Sequence, residues 1–326
     1  MNILIAGSVN DYSGSEEERL VDAITASLKE KGHKADNFLL PYKPDALSLM
    51  DQITAYSLID ASGSDLLITI GYPACFIRHA NKICYLLEVA PMLYEYWDSE
   101  FGILGNYQYS QIKIAVNELE RKTFSSAKKV FCSSDILKND IQDRTGIALE
   151  LLQLPLLGWR NFQSAKAEKG AFIVQSNLLQ NSRMFDFIEM ADELNGKRID
   201  IYVPDADPIY LKALTTQMER KGLDSEVRVI DGEPSDDTLK NAAAYVHFSF
   251  NSRRTENIIG RCMALGVNII MAQDCGSAAE YCSGYKGAKM CGFGELVSVI
   301  RKYKPVSVQP CDIQTVDQFV DKLVII

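Results

Sequence analysis

The sequence predicts an α/β protein built from two doubly wound parallel-sheet domains. Three observations predict it: short, nearly continuous apolar runs of strand length recur along the chain, capped amphipathic helix-length segments separate them, and this alternation pauses once near residue 160 and then restarts. A parallel sheet covered by helices on both faces buries both sides of every strand, so its strands read as unbroken apolar runs. The length of 326 residues agrees with two domains, because a single core stops growing near ~250–300 residues.

Taken in order, Asn2–Ala6 is the first apolar run, closed by Gly7. The following SEEERLVDAITASLKEKG has a Ser cap, an acidic first turn, Leu20, Val21, Ile24 and Leu28 on one stripe, and Gly32 after Lys29 and Lys31, which is a helix with both ends marked. Asp65–Ile70, Lys82–Leu87 and Lys128–Cys132 are three more strands, the last followed by SSDILKNDIQDRTG, a capped helix that stops at Gly146. Leu154–Gly170 carries no period of either kind and reads as a linker. Beyond it come strand Ala171–Gln175, helix Ser182–Leu194, strand Arg198–Val203, helix Asp207–Lys221 and strand Glu226–Ile230. Helix Ser235–Ala243, strand Ala244–Phe250, helix Glu256–Leu265 and strand Val267–Ala272 complete the second set. Near the end, Val316, Phe319, Val320 and Leu323 fall at helical spacing and give the last helix an apolar face. The expected domains are 1–158, joined by the C-terminal helix in 313–326, and 171–312.

Composition narrows the functions. Lys and Arg number 34 against 43 Asp and Glu, a net charge of −9, which argues against a nucleic-acid partner while leaving room for a local basic pocket. The eight cysteines include no CxxC pair, so neither zinc nor a disulfide framework is expected, and free thiols acting as small hydrophobes fit a reducing cytoplasm. MNILIAGSVN lacks a basic leader and reads as a buried strand, and no window approaches the ~18 apolar residues of a membrane span. His33 and His79 are expected in solvent and His247 in the core, and Tyr94, Tyr96 and Trp97 are expected to pack or to stack a sugar.

Open parallel sheets bind ligands beyond the carboxyl ends of their strands. Two such sheets facing a cleft would place there Gly7, Ser8 and the Ser13–Ser15 loop, Gly71–Pro73, Glu88 and Ser133–Ser134 from the first half, with Ser176–Arg183, Asn251–Glu256 and Asp274–Glu280 from the second.

The segment RCMALGVNIIMAQDCGSAAE (261–280) resembles the donor-binding signature of family 4 glycosyltransferases of the GT-B fold. In that signature a helix running into "EAMALGVPVIA" precedes a glycine turn and "PE"; Met263–Ala264–Leu265–Gly266 matches as it stands, and Gly276 with Glu280 matches the turn. DLLITIGYPA, ERKTFSSAKKVFCSSDILKNDI and GEPSDDTLKNAAAYVHFSF look like further stretches of these enzymes in the same order. The resemblance implies two Rossmann-like domains, a nucleotide-sugar donor as substrate with no other cofactor, and a saccharide or glycolipid acceptor. It is compatible with peripheral attachment to the inner face of a membrane and leaves the oligomeric state open.

The sequence departs from the family where a Glu-x7-Glu pair flanks the helix: Arg253 and Arg261 stand there, with Glu256 the remaining nearby carboxylate. The family Lys that neutralises the donor diphosphate aligns with Arg183. Guanidinium forks stabilise a departing diphosphate well, so Arg183, Arg253 and Arg254 are expected to supply that charge without a metal, beside Gly276 and Ser277. Arg261 either contacts the donor or pairs with Glu256 or Glu280; Arg253 and Arg254 are equally readable as a solvated pair. Glu88 stands where many family members carry a His and is the candidate general base, or else an ion-pair partner at a strand end. Ser13 and Gly14 are candidates for an acceptor-side loop. Two functions stay open: a metal-independent glycosyltransferase, and a GT-B-like binding or scaffold protein without catalysis. A nicotinamide enzyme is disfavoured by the lack of GxGxxG after a strand.

Overall fold

The computed structural model describes residues 1–9, 16–43, 45–97, 107–158, 170–178, 182–204, 206–250 and 257–324. The chain divides into two compact units: Met1–Trp159 with Arg253–Asn257 and Gln314–Ile326, and Arg160–Ser252 with Ile258–Ile313.

The first unit runs β1 (Asn2–Val9), α1 (Glu16–Glu30), β2 (Lys34–Pro41), α2 (Leu49–Ser57), β3 (Leu66–Ile70), β4 (Lys82–Leu86), α3 (Tyr107–Ser126), β5 (Lys129–Cys132), α4 (Asp135–Thr145) and β6 (Glu150–Leu151). All six strands are parallel, in the order β2-β1-β3-β4-β5-β6. Alternate residues of each strand enter different cores. Ile3, Ile5, Ile68, Ile83 and Phe131 join Leu20, Val21, Ile24 and Leu28 of α1 on one face. Ala6, Leu67, Cys84 and Val130 join Ile53 of α2, Val116 and Phe124 of α3 and Ile141 of α4 on the other. Gly7 lets α1 lie close to β1, since a Cβ there would meet Leu39 Cδ2 at 2.7 Å and Val21 Cγ2 at 2.8 Å. Helix α4 starts where expected, with Ser134 accepting from the Leu137 amide, and ends on left-handed Gly146.

The second unit runs β7 (Phe172–Gln175), α5 (Met184–Met190), β8 (Ile199–Val203), α6 (Pro208–Lys221), β9 (Val227–Asp231), α7 (Asp236–Lys240), β10 (Ala244–His247), α8 (Asn257–Leu265), β11 (Ile269–Ala272), α9 (Ser277–Cys282), β12 (Ala288–Cys291) and α10 (Leu296–Lys302). Its strands are again all parallel, ordered β12-β11-β10-β7-β8-β9. Counted within the unit this is the 3-2-1-4-5-6 order of a Rossmann-like sheet, and the direction of winding reverses between β7 and β10. In the first sheet the reversal lies between β1 and β3. The last helix, α11 (Val316–Leu323), belongs to the first unit, where Phe319, Val320 and Leu323 are buried and Phe319 meets Tyr85 edge to face at 4.9 Å.

Several boundaries differ from the sequence reading. Leu154 and Leu156 are buried in the first unit, so the linker does not begin at Leu154; positions 159–169 lie outside the described residues. The helix expected over Ser182–Leu194 ends at Met190 and continues as a 3-10 turn, Ala191–Glu193. That expected over Ser235–Ala243 spans only Asp236–Lys240, and the strand expected to reach Phe250 ends at His247. His79 is half-buried and held by the backbone, with Nδ1 2.7 Å from the Asn81 carbonyl and Nε2 3.1 Å from that of Ser64. All eight cysteines are free thiols, seven of them buried, as their apolar settings imply. Among the described residues, no helix is long and apolar enough to cross a membrane.

Candidate functional site

At the reversal point of the second sheet, three carboxyl-edge segments converge on one guanidinium. Arg183 precedes α5 in a left-handed conformation, φ 54° and ψ 24°. Its Nε donates to the Phe248 carbonyl just past β10 at 2.7 Å, and Nη1 and Nη2 donate to Asp274 just past β11 at 2.7 and 2.8 Å. The Phe293 ring covers the guanidinium at 4.2 Å, and Phe250 lies 5.5 Å away. The cation is therefore fastened from three sides and only 7% exposed, whereas the Asp274 side chain is 44% exposed.

The backbone around this point is held in uncommon conformations. Leu178, after β7, has φ 59°, with its amide bonded to Ser176 Oγ at 3.0 Å. Gly276, before α9, has φ 62° and ψ −127°, a region open to glycine alone. Among the described residues, four non-glycine positions have positive φ, and three of these (Ala90, Leu178 and Arg183) follow strands at carboxyl edges. A left-handed residue costs about 1–2 kcal/mol, so the surrounding contacts must impose these turns.

His247, at the end of β10, is 2% exposed. Burial, and then the charge of Arg183, pull its pKa down to about 4, so the imidazole is neutral at pH 7. That matches the expected core role. Ser277 is fully buried. Arg261 turns to Asp236 at 2.8 Å, the Pro234 carbonyl at 3.0 Å and Glu233 at 3.6 Å, where the sequence offered Glu256 or Glu280 as partners. A guanidinium held by two carboxylates and a carbonyl has most of its donors occupied, so Arg261 reads as an ion-pair residue. Arg253, Arg254, Glu256, Ser13 and Gly14 lie outside the described residues.

In the first unit, Glu88 follows β4 and is half-buried. It lies near Tyr42, whose phenol pKa is raised by burial and secondarily by the Glu88 charge. Two residues on, buried Ala90 adopts φ 37° and turns the chain into Pro91. At the same edge Ser8 Oγ accepts from the Ala74 amide at 2.9 Å. The aromatic cluster beyond Glu88 packs internally. Tyr94 donates to Glu120 at 3.1 Å and carries the Arg144 guanidinium on its ring at 3.7 Å, and Lys113 sits over Trp97 at 4.4 Å.

From the sequence, Asp274 stood only as the first residue of the Asp274–Glu280 segment, with no role of its own. Its signal was a carboxylate directly after an apolar strand, but its partner Arg183 is 91 positions away and no local pattern joins them.

No protein-family model matches the chain, and no curated protein matches it in sequence. Solved structures do match. WaaG, a glycosyltransferase involved in lipopolysaccharide biosynthesis, superposes with a TM-score of 0.64 over 91% of this chain and 90% of that one, at 12% identity. HepE of Anabaena, solved in complex with UDP and glucose, gives 0.59 over 92% and 89%, at 16% identity. A glycosyltransferase of Rickettsia africae gives 0.57 over 99% and 88%, at 10% identity. The fold is GT-B. Doubly wound sheets in general bind ligands at the point where winding reverses, and Arg183 stands at that point of the second sheet.

Proposed function

We propose that the protein is a glycosyltransferase that binds a nucleotide-sugar donor through its diphosphate at the carboxyl edge of the second sheet and transfers the sugar to a saccharide or glycolipid acceptor served by the first unit. The observation that carries this reading is the asymmetry of the Arg183–Asp274 pair. The cation is fixed by Phe248 and covered by Phe293, while its carboxylate faces water. Two diphosphate oxygens present to a guanidinium fork the same geometry as a carboxylate. The donor thus exchanges with Asp274, which swings into solvent, and Arg183 remains in place.

As the sugar leaves, charge grows on the diphosphate, and a fixed guanidinium in a poorly solvated setting stabilises it without reorganising. The reading requires no metal, because Arg183, with Arg253 and Arg254 in the same role, supplies the positive charge. Glu88 takes the proton of the acceptor hydroxyl. UDP is the first nucleotide to try, since HepE was solved with UDP and glucose. The second reading, a GT-B-like protein that binds without turnover, is favoured by the fact that Arg183 already has a carboxylate on its fork.

Calorimetric titration with UDP, GDP, ADP and CMP and their sugars tests the first reading. One nucleotide diphosphate should bind. Arg183→Ala should weaken it by roughly a hundredfold, the worth of a bidentate charged contact of about 3 kcal/mol. Asp274→Asn, which removes the competing charge, should tighten it. Silence across the panel, or equal binding by Arg183→Ala, overturns the assignment. Donor hydrolysis should fall in Glu88→Gln; an unchanged rate removes Glu88 from the mechanism. Binding with no hydrolysis or transfer selects the second reading.

A further inference from the structure

The first sheet has a second edge. At the amino ends of β3 and β4 lies a cavity of about 1010 Å3, walled by the end of α2, the last turns of α3 and the segment before β4. That is at the upper end of the range for small-molecule sites. Both strands are five residues long, so at ~3.3 Å per residue the cavity is roughly 16 Å along the sheet from the edge that holds Glu88.

Its cations are poorly compensated. Lys82 is 3% exposed, and its ammonium donates to the carbonyls of Cys75 at 2.7 Å and Ile77 at 3.0 Å. An ammonium has three N–H groups, and among the described residues neither a third acceptor nor a carboxylate within ion-pair distance serves this one. Burying a cation with only neutral partners is costly, and an anion nearby recovers the cost. Arg78 is exposed and has no hydrogen-bond or ion-pair partner among the described residues. Lys122 meets only Glu118, at 3.5 Å on open surface, a contact of little worth. Two carboxylates also line the wall, Asp60 accepting from the Ser62 amide and Asp65 from the Asn2 amide; both keep their charge, so the three cations Arg78, Lys82 and Lys122 stand against two anions and the lining keeps a small positive excess.

The hydroxyls set the other requirement. Ser57, Ser64 and Ser126 each donate their proton to a backbone carbonyl, at 2.8, 2.9 and 2.9 Å. With their protons so placed these oxygens keep lone pairs to accept with, so an occupant that brings hydrogen-bond donors is matched by them. Arg78 and Lys82 offer only N–H groups and carry positive charge, which a negative group on the occupant matches best. We propose that this cavity binds a polyhydroxylated anion, of the class of a sugar phosphate, at a site separate from the donor and from Glu88. The inference does not rest on the transferase reading, since every residue in it belongs to the first unit and none to the Arg183 cluster.

The test is calorimetric titration of the full chain with glucose 6-phosphate, glucose and inorganic phosphate, repeated with UDP at saturation. Glucose 6-phosphate should bind at least tenfold more tightly than either fragment, and UDP should leave that binding unchanged. Arg78→Ala, at an exposed position, should weaken it at least tenfold with no shift in melting temperature. Lys82→Met should abolish it; if that variant does not fold, Arg78→Ala and Ser126→Val decide the matter. Absence of binding at millimolar concentration, equal binding by Arg78→Ala, or competition by UDP together with loss in Arg183→Ala would overturn the proposal. A failure of every nucleotide in the panel to bind would sink the transferase reading and leave this one standing.

Discussion

Two arginine–carboxylate pairs, one in each unit, show how the same chemistry serves opposite ends. Arg144 pairs with Glu120 in the first unit, and both members are covered, at 14% and 0% exposure. Asp140 at 2.8 Å, Asn117 at 3.1 Å and the Tyr94 ring complete the enclosure. Burial pushes the Glu120 pKa up, and the Arg144 charge and hydrogen bonds oppose it. Neither partner can leave without abandoning a buried charge, so this pair is structural. The Arg183–Asp274 pair has an equally buried arginine but a carboxylate with water beside it. There the anion is replaceable at small cost, which is the property a ligand site needs. The difference lies in the exposure of the acid, and residue type alone does not reveal it.

The largest effect should come from breaking the closed pair. Arg144→Met leaves Glu120 ionisable and buried, and about 3–5 kcal/mol of stability should be lost, measured by urea unfolding. The double variant Arg144→Met, Glu120→Leu should recover most of it, and failure to recover would show that Asp140 and Asn117 carry the loss. The open pair should behave differently: Asp274→Asn should change stability by less than about 1 kcal/mol while raising nucleotide affinity. A loss comparable to that of Arg144→Met would mean that Asp274 is structural too.

An intermediate effect should follow pH. The unfolded chain protonates His247 near its ordinary value of 6.5, whereas the fold holds it to about 4. Between those values the unfolded state binds the extra proton, so the contribution is intact above pH 6.5 and is lost as pH falls toward 4, reaching about 3 kcal/mol. His247→Gln should flatten that limb of the stability–pH curve; an unchanged slope would assign the acid sensitivity to other groups. A smaller effect than that of the closed pair should come from Gly276→Ala, which forces a side chain into φ 62°, ψ −127° at about 1–3 kcal/mol. Thermal melting should register it, and nucleotide affinity should fall with it. A Gly276→Ala protein that melts as the wild type does would remove the strained turn from the argument.

Where the chain's local signals were strong, the fold was readable. The Asp207 cap of α6, the Gly222 stop, and the apolar runs that became β3, β4 and β11 each carry their cause within a few residues. The edge strand β2 was missed because the apolar part of KADNFLLP is only Phe38–Leu40, follows a polar start and is half-buried. Strand β12, AKMC, was missed because it too lies at an edge and buries little. Arg183 was found through its place after a strand and its resemblance to a family position. The cavity beside Lys82 was not, because it lies at the amino edge of the sheet, and a lysine opening an apolar strand gives no sign of whether a carboxylate will meet it.

By itself the sequence determined the layered α/β class, the two-fold division of the chain, the terminal helix with its apolar face, and the stretches from which ligand contacts come. These follow from periodicity, caps and turns, all of which act over a few residues. Tertiary structure alone decided that Arg183 meets Asp274, that Arg261 turns to Glu233 and Asp236, and that Lys82 is buried with no acid beside it among the described residues. Each is a matter of which charges the folded chain brings together and how much water it leaves beside them. Coulombic partnership and desolvation depend on distance in space, and a linear sequence does not contain that distance.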